Sequence, residues 1–134
     1  SGGLSIQGHI PEKDGILANL LVLEAMAYEN KSLVELQKEL YDFVGCKFYN
    51  DRIDKRLDNV EEIKPVLEEY KNKTSIGDFK VKNIDTKDGV KLYFDDNKSW
   101  ILVRPSGTEP LLRIYFESGS LEGLEKLRTL IKGE

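Results

Sequence analysis

The residues best suited to chemistry stand together between positions 104 and 113. Residues 104–110 read Arg-Pro-Ser-Gly-Thr-Glu-Pro, and Arg113 follows shortly after. An arginine can bind a phosphate through two parallel hydrogen bonds, hydroxyls can donate to the remaining oxygens, and a glycine lets backbone amides approach closely. The segment therefore predicts a phosphate site with five candidate ligands, which are Arg104, Ser106, Gly107, Thr108 and Arg113.

The same residue types also suit a plain connection between two strands. Proline at positions 105 and 110 and glycine at position 107 are common turn residues. In this interpretation Arg104 caps nearby carbonyl groups or pairs with Glu109. The composition of the segment leaves both interpretations open.

A second group of polar residues stands near the start of the chain. Residues 1–11 are rich in glycine and show no periodicity, which indicates a loop. His9 lies in this loop and Lys13 lies just after it. Taken alone, they are most simply a solvated histidine and a surface lysine, although a positive charge at the start of a helix opposes the helix dipole.

Two helices are predicted next. In residues 14–29 the apolar side chains cover most of the helix surface, which is typical of a helix enclosed by other elements. Ser32 and Glu35 form a capping box that begins a second, amphipathic helix, and Gly45 ends it.

The pattern after residue 45 predicts a second domain, 46–134, of the α+β class. We expect a strand within 47–57, a helix over 59–73 and a last helix over 120–131. Pro65 marks either a late first turn or a kink. The clear strands are 79–85, 90–94, 100–103 and 111–116, so the prediction is an antiparallel sheet of about four strands with helices on one face.

Composition excludes several classes of partner. The chain has 134 residues and a formal net charge of −4, without the basic footprint that nucleic-acid binding requires. Its longest apolar stretch is about 12 residues, short of the ~20 that a membrane span needs. A single cysteine cannot form an internal disulfide. We expect a cytoplasmic protein that binds neither nucleic acid nor membrane.

The two polar groups resemble one known family. Residues 104–110, followed by Leu112-Arg113-Ile114-Tyr115, closely resemble the phosphate-binding loop in the last domain of the alpha-D-phosphohexomutases, the phosphoglucomutase and phosphomannomutase group. Residues 1–3 resemble the end of that family's sugar-binding loop, and residues 9–15 resemble the segment that follows it. The resemblance covers the whole chain but only the end of the family's architecture, which is a remnant of domain 3 in 1–45 and domain 4 in 46–134.

The resemblance implies a fold and a set of site residues. Domain 4 of the family is similar to the TATA-box-binding protein in fold. Phosphate binding is carried over to Arg104, Ser106, Gly107, Thr108 and Arg113. Contact with the sugar is carried over to Ser1, Gly2, Gly3, His9 and Lys13, of which His9 and Lys13 are candidate active-site contacts.

The resemblance also implies a reaction that needs more than this chain. In the family, a phosphoserine of domain 1 donates its phosphoryl group to one end of a hexose phosphate and takes the other phosphate back, assisted by a Mg²⁺ ion in an Asp-Gly-Asp loop of domain 2. Neither that loop nor a Thr-Ala-Ser-His-Asn serine motif occurs in the 134 residues. We therefore expect no catalytic residue or metal ligand here, including at Asp95-Asp96-Asn97, and no mutase activity in the chain alone.

The implied partners are glucose 1-phosphate and glucose 6-phosphate or the mannose phosphates, and the upstream domains 1 to 3. The N-terminal motifs look more like those of phosphoglucomutases than of phosphoglucosamine mutases. Without the sheet of domain 3, we expect the apolar helix 14–29 to pack against its neighbour and against a second copy of the chain. Two alternatives stay open, a non-catalytic anion-binding module and a structural interaction domain.

Overall fold

The computed structural model describes residues 3–107 and 109–133. The chain divides into two compact units, Ser1–Cys46 and Lys47–Glu134. No helix within the described residues combines the length and the apolar content that a bilayer crossing requires.

The first unit holds two helices, α1 (Gly15–Glu29) and α2 (Leu33–Val44). Asp14 begins α1, because its carboxylate accepts hydrogen bonds from the amides of Ile16 and Leu17. The predicted capping box of Ser32 and Glu35 is confirmed at the start of α2, and Gly45 ends that helix in the left-handed conformation. None of the residues of α1 and α2 is buried.

The second unit is built on one antiparallel sheet. Its strands are β1 (Tyr49–Arg56), β2 (Ser75–Ile76), β3 (Phe79–Asp85), β4 (Val90–Phe94), β5 (Trp100–Pro105) and β6 (Leu111–Ser118). Their order across the sheet is β1-β6-β5-β4-β3-β2. The prediction of about four strands was wrong, because β1 joins the sheet at one edge and β2, too short to show any alternation, joins it at the other.

Two helices cover one face of this sheet. A short 3-10 helix, Val60–Glu62, leads into α3 (Ile63–Lys71), and α4 (Leu121–Gly133) follows the last strand. Pro65 lies in the first turn of α3, where a missing amide is tolerated. The fully buried side chains alternate along β4, β5 and β6 and pack against four helical residues, Tyr70, Leu124, Leu127 and Ile131. The α+β class, with helices on one face, is therefore confirmed.

The face of the sheet opposite α3 and α4 carries polar and aromatic side chains. Buried and partly exposed residues alternate along β5 and along β6 from Leu112 onward. The intervening residues on this outer face are Trp100, Leu102 and Arg104 in β5, and Arg113, Tyr115 and Glu117 in β6. This alternation places both arginines of the predicted phosphate site on the outer face.

Candidate functional site

The candidate site is centred on two arginines that face each other across neighbouring strands. Arg104 of β5 and Arg113 of β6 are direct register partners. Like charges directly opposite each other in a sheet are destabilising, so this pairing disfavours folding unless negative charge lies nearby. The arrangement is suited to binding an anion.

Two backbone hydrogen bonds hold the loop that joins these strands. The Ser106 amide donates to the Leu111 carbonyl oxygen at 2.8 Å, and the Leu57 amide donates to the Pro110 carbonyl oxygen at 2.9 Å. The loop is therefore fixed both to β6 and to the residue that follows β1. Thr108, the fourth predicted phosphate ligand, lies outside the described residues.

Ser106 and Gly107 differ in what they offer to a phosphate. Ser106 is only 9% exposed, and its amide is already used within the chain. Its hydroxyl has no hydrogen-bond partner among the residues that the structure describes. Gly107 is exposed, and a Cβ added there would meet nothing within 4 Å. The chain itself thus gives no steric reason for glycine at position 107.

The partner of Arg104 is an aspartate from another hairpin. The Arg104 Nη2 atom lies 3.0 Å from Oδ2 of Asp88, which belongs to the turn between β3 and β4. The turn is close enough that a Cβ on Gly89 would lie 3.1 Å from the Arg104 Cγ atom and collide with the Val103 carbonyl oxygen. In the interpretation of the loop as a plain connection, Arg104 caps carbonyl groups or pairs with Glu109, whereas the structure pairs it with Asp88.

Arg113 has a different environment. Its register partner on β1 is Asp54, but the Asp54 carboxylate pairs with the Arg52 guanidinium at 3.0 Å. No ion pair joins Arg113 to a carboxylate of the part of the chain that the structure describes. Arg113 therefore carries the less compensated charge of the two arginines.

The second predicted cluster surrounds the start of α1. The His9 Nε2 atom lies 3.3 Å from Oδ2 of Asp14. A Cβ on Gly3 would collide with the Lys13 side chain, so Lys13 lies over Gly3. A hydrogen bond from the Leu17 amide, helped by one from His9, holds the pKa of the Asp14 carboxyl below its ordinary value of 3.8 against the effect of desolvation. Gly3, His9 and Lys13 thus lie around one helix start, while Ser1 and Gly2 fall outside the described residues.

The acidic cluster at residues 95–97 has a structural role. Asp96 accepts hydrogen bonds from the Ser99 hydroxyl at 2.6 Å and from the amides of Lys98 and Ser99 at 2.9 and 2.8 Å. Burial acts to raise the pKa of Asp96, but these hydrogen bonds outweigh it and leave the pKa below the ordinary value of 3.8. The carboxylate stabilises the turn between β4 and β5.

Two models of known protein families match this chain. The model of the "Phosphoglucomutase/phosphomannomutase, C-terminal domain" matches residues 50–133, and that of the "Phosphoglucomutase/phosphomannomutase, alpha/beta/alpha domain III" matches residues 1–43. The chain belongs to the phosphoglucomutase/phosphomannomutase family. The family predicted from the two motifs is thereby confirmed.

Curated relatives within the phosphoglucomutase/phosphomannomutase family carry more than one name. A phosphoglucomutase/phosphomannomutase of Thermococcus kodakarensis is 30% identical over 99% of this chain and 28% of its own length. A phosphoglucosamine mutase of Methanococcus vannielii is 35% identical over 78% of this chain and 21% of its own length. A probable phosphoglucosamine mutase of Pyrococcus furiosus is 32% identical over 90% of this chain and 24% of its own length. The chain spans about a quarter of these relatives.

A separate cavity contains none of the predicted family site residues. It has a volume of about 810 Å³ and lies between the turn at Gly77 and α4. Its walls include Phe79, Leu121 and Leu130, and most of them are apolar. Arg104, Ser106 and Arg113 do not line this cavity.

Proposed function

We propose that this chain is the C-terminal part of a phosphohexomutase, and that residues 104–113 bind the phosphate of the hexose phosphate that is not reacting. The observation that carries the proposal is the pairing of Arg104 with Arg113 on the outer face of the sheet. These two guanidinium groups flank the end of a loop that supplies the Ser106 hydroxyl.

The chemistry of these groups suits a site that must accept two orientations of the substrate. In a mutase that turns its intermediate over, the phosphate in this site is attached to C1 in one half of the cycle and to C6 in the other. Guanidinium and hydroxyl groups bind phosphate oxygens without contacting the sugar. Binding energy from the distant phosphate then positions the reacting end of the sugar and lowers the barrier to transfer.

The N-terminal unit is proposed to contribute contacts to the sugar. Gly3, His9 and Lys13 come together at the start of α1. We place residues 1–45 in domain 3 and residues 46–134 in domain 4, with a hinge at 45–47. Rotation about such a hinge closes the active site and excludes water from the phosphoserine.

The Mg²⁺ ion of the family is assigned to other domains. Within residues 3–107 and 109–133, no three His, Cys, Asp or Glu side chains are grouped so that they could hold a metal ion. The described residues do not fit this ion, so none of them is given a role that depends on it.

Amide NMR of the 134-residue chain tests the proposal. We expect glucose 1-phosphate and glucose 6-phosphate to shift the amide signals of Ser106 and Gly107 to a similar extent. A few charge-assisted hydrogen bonds, each worth about 1.5 to 3 kcal/mol and opposed by lost translational freedom, predict binding at roughly millimolar concentration. Mutase activity of the same sample should be undetectable.

Two variants make the test specific. Arg104→Ala should abolish the shifts, whereas Arg128→Ala, which lies in α4 and is paired with Asp51, should retain them. A response to only one of the two isomers would contradict recognition through phosphate alone. Turnover of glucose 1-phosphate by the chain alone would contradict the proposal that the catalytic residues lie in other domains.

A further inference from the structure

The Arg104 guanidinium already has a carboxylate partner within the chain. Asp88 lies at the tip of the β3–β4 hairpin and contacts the Nη2 atom at 3.0 Å. The hairpin is held there by its backbone, because Gly89 has φ of +87° and packs directly against Val103 and Arg104. Asp88 is thus placed beside Arg104 by the fold of the hairpin as well as by its charge.

We propose that Asp88 is an internal counter-ion of Arg104 that phosphate displaces, and that it sets the affinity and the release rate of the phosphate site. This inference rests on the phosphate-binding role proposed above. Asp88 occupies one donor of Arg104 when no phosphate is bound, and it lowers the repulsion between Arg104 and Arg113. When phosphate binds, it replaces the Asp88 carboxylate as the partner of the Arg104 guanidinium.

The strengths of the two contacts make the exchange favourable. The Asp88 side chain is 69% exposed and that of Arg104 is 37% exposed, so the ion pair between them is weak. A phosphate carries more charge than a carboxylate and can contact Arg104 and Arg113 together, so it competes successfully. The Asp88 carboxylate then moves away from Arg104, because it carries the same sign of charge as the bound phosphate and is repelled by it.

A counter-ion of this kind suits a site that must release its ligand within every catalytic cycle. A mutase of the proposed type has to let the distant phosphate go before the intermediate can turn over. Because Asp88 stabilises Arg104 after the phosphate has left, it reduces the difference in free energy between the bound and the released site. The result is weaker binding and faster release.

Titration of the 134-residue chain with inorganic phosphate tests the role of Asp88. The signals to follow by NMR are the Arg104 Nε–H group and the Ser106 amide, in about 0.15 M salt to screen distant charges. Loss of one exposed ion pair predicts that Asp88→Asn binds phosphate about two- to fivefold more tightly than the unchanged chain. Asp88→Ala should show the same gain, and both variants should release phosphate more slowly.

Asp85→Asn is the matched control. Asp85 belongs to the same hairpin, and its carboxylate accepts a hydrogen bond from the Lys87 amide at 3.0 Å. The substitution removes the same charge without touching Arg104, so the affinity for phosphate should stay within the error of the unchanged chain. If Asp88→Asn and Asp85→Asn raise the affinity for phosphate equally, the cause is the change in net charge, and the inference is overturned.

The remaining outcomes separate the two proposals. If the unchanged chain responds to phosphate but Asp88→Asn binds it equally or more weakly, the counter-ion role fails and the phosphate site stands. If the unchanged chain gives no response at Arg104 or Ser106, the phosphate site fails and the counter-ion role fails with it.

Discussion

Hydrogen bonds made within the chain decide which groups of the loop are left for a phosphate. The Ser106 amide donates its hydrogen bond to the Leu111 carbonyl oxygen, so in the proposed site only the hydroxyl of Ser106 is left to bind phosphate. The arginines keep several donors each, because Arg104 has one contact to Asp88 and Arg113 has no ion pair to a described carboxylate. In the proposed phosphate site, the Ser106 amide is therefore not a free donor, and the two arginine side chains are.

The carboxylate of Asp96 gives a prediction on pH. Its pKa in the folded chain is below the ordinary value of 3.8, so its hydrogen bonds stabilise the fold above that pH, and this contribution is lost as the pH falls through the folded pKa. Asp96→Ala should lower the free energy of unfolding by about 1 kcal/mol at neutral pH. The difference from the unchanged chain should shrink as the pH falls below 3.8.

The difference in the free energy of unfolding is measured by urea unfolding, monitored by tryptophan fluorescence. Trp100 is the only tryptophan of the chain and lies in the same unit as Asp96. Asp95→Ala is the control, because Asp95 lies in the same turn but its carboxylate accepts none of the three hydrogen bonds that Asp96 accepts. A difference between Asp96→Ala and the unchanged chain that persists in acid would show that the carboxylate charge is not the cause.

At the scale of elements, the β3–β4 hairpin depends on one glycine. Gly89 has a positive φ, and a Cβ at this position would collide with the Val103 carbonyl oxygen. Gly89→Ala should therefore lower the free energy of unfolding by about 1 to 3 kcal/mol. Gly107→Ala should cost less than about 0.5 kcal/mol, because its Cβ enters open space.

The same urea experiment compares the two glycine variants. Equal stability of Gly89→Ala and Gly107→Ala would contradict the close packing of the hairpin against β5. If Gly107→Ala keeps its stability but loses its response to phosphate, glycine at position 107 is needed by the ligand and not by the fold.

The elements that could be predicted are those with a clear period or cap. Helix α1 was predicted from the spacing of its apolar residues, and α2 from its caps at Ser32, Glu35 and Gly45. The main strands were predicted from the alternation of apolar and polar residues. The two-residue strand β2 is too short to have a pattern. The loop at residues 104–110 was identified from its residue types, but Asp88 as the partner of Arg104 depends on β4 lying next to β5, which the local sequence does not specify.

At the scale of the whole molecule, self-association of the chain stays a prediction. Ile16, Leu20 and Leu23 of α1 are 77%, 56% and 59% exposed. Burial of such side chains is favourable, so we expect a second copy to cover them at high concentration. Sedimentation velocity should show a dimer or larger species that the double variant Leu20→Glu/Leu23→Glu converts to monomer.

Val60→Glu provides the comparison for this prediction. Val60 is 62% exposed and lies in the other unit, so the same kind of change there should leave the association unaltered. A compact monomer of the unchanged chain at every concentration would contradict the prediction.

Strand β1 lies at one end of the six-stranded sheet, and β6 is its only paired strand among residues 3–107 and 109–133. Its outer backbone groups are therefore a template on which a strand of another molecule could add, as happens in fibrous aggregates. Five of its eight residues are charged, namely Asp51, Arg52, Asp54, Lys55 and Arg56. Charges of both signs along this edge oppose such addition, so growth by strand pairing at β1 is disfavoured.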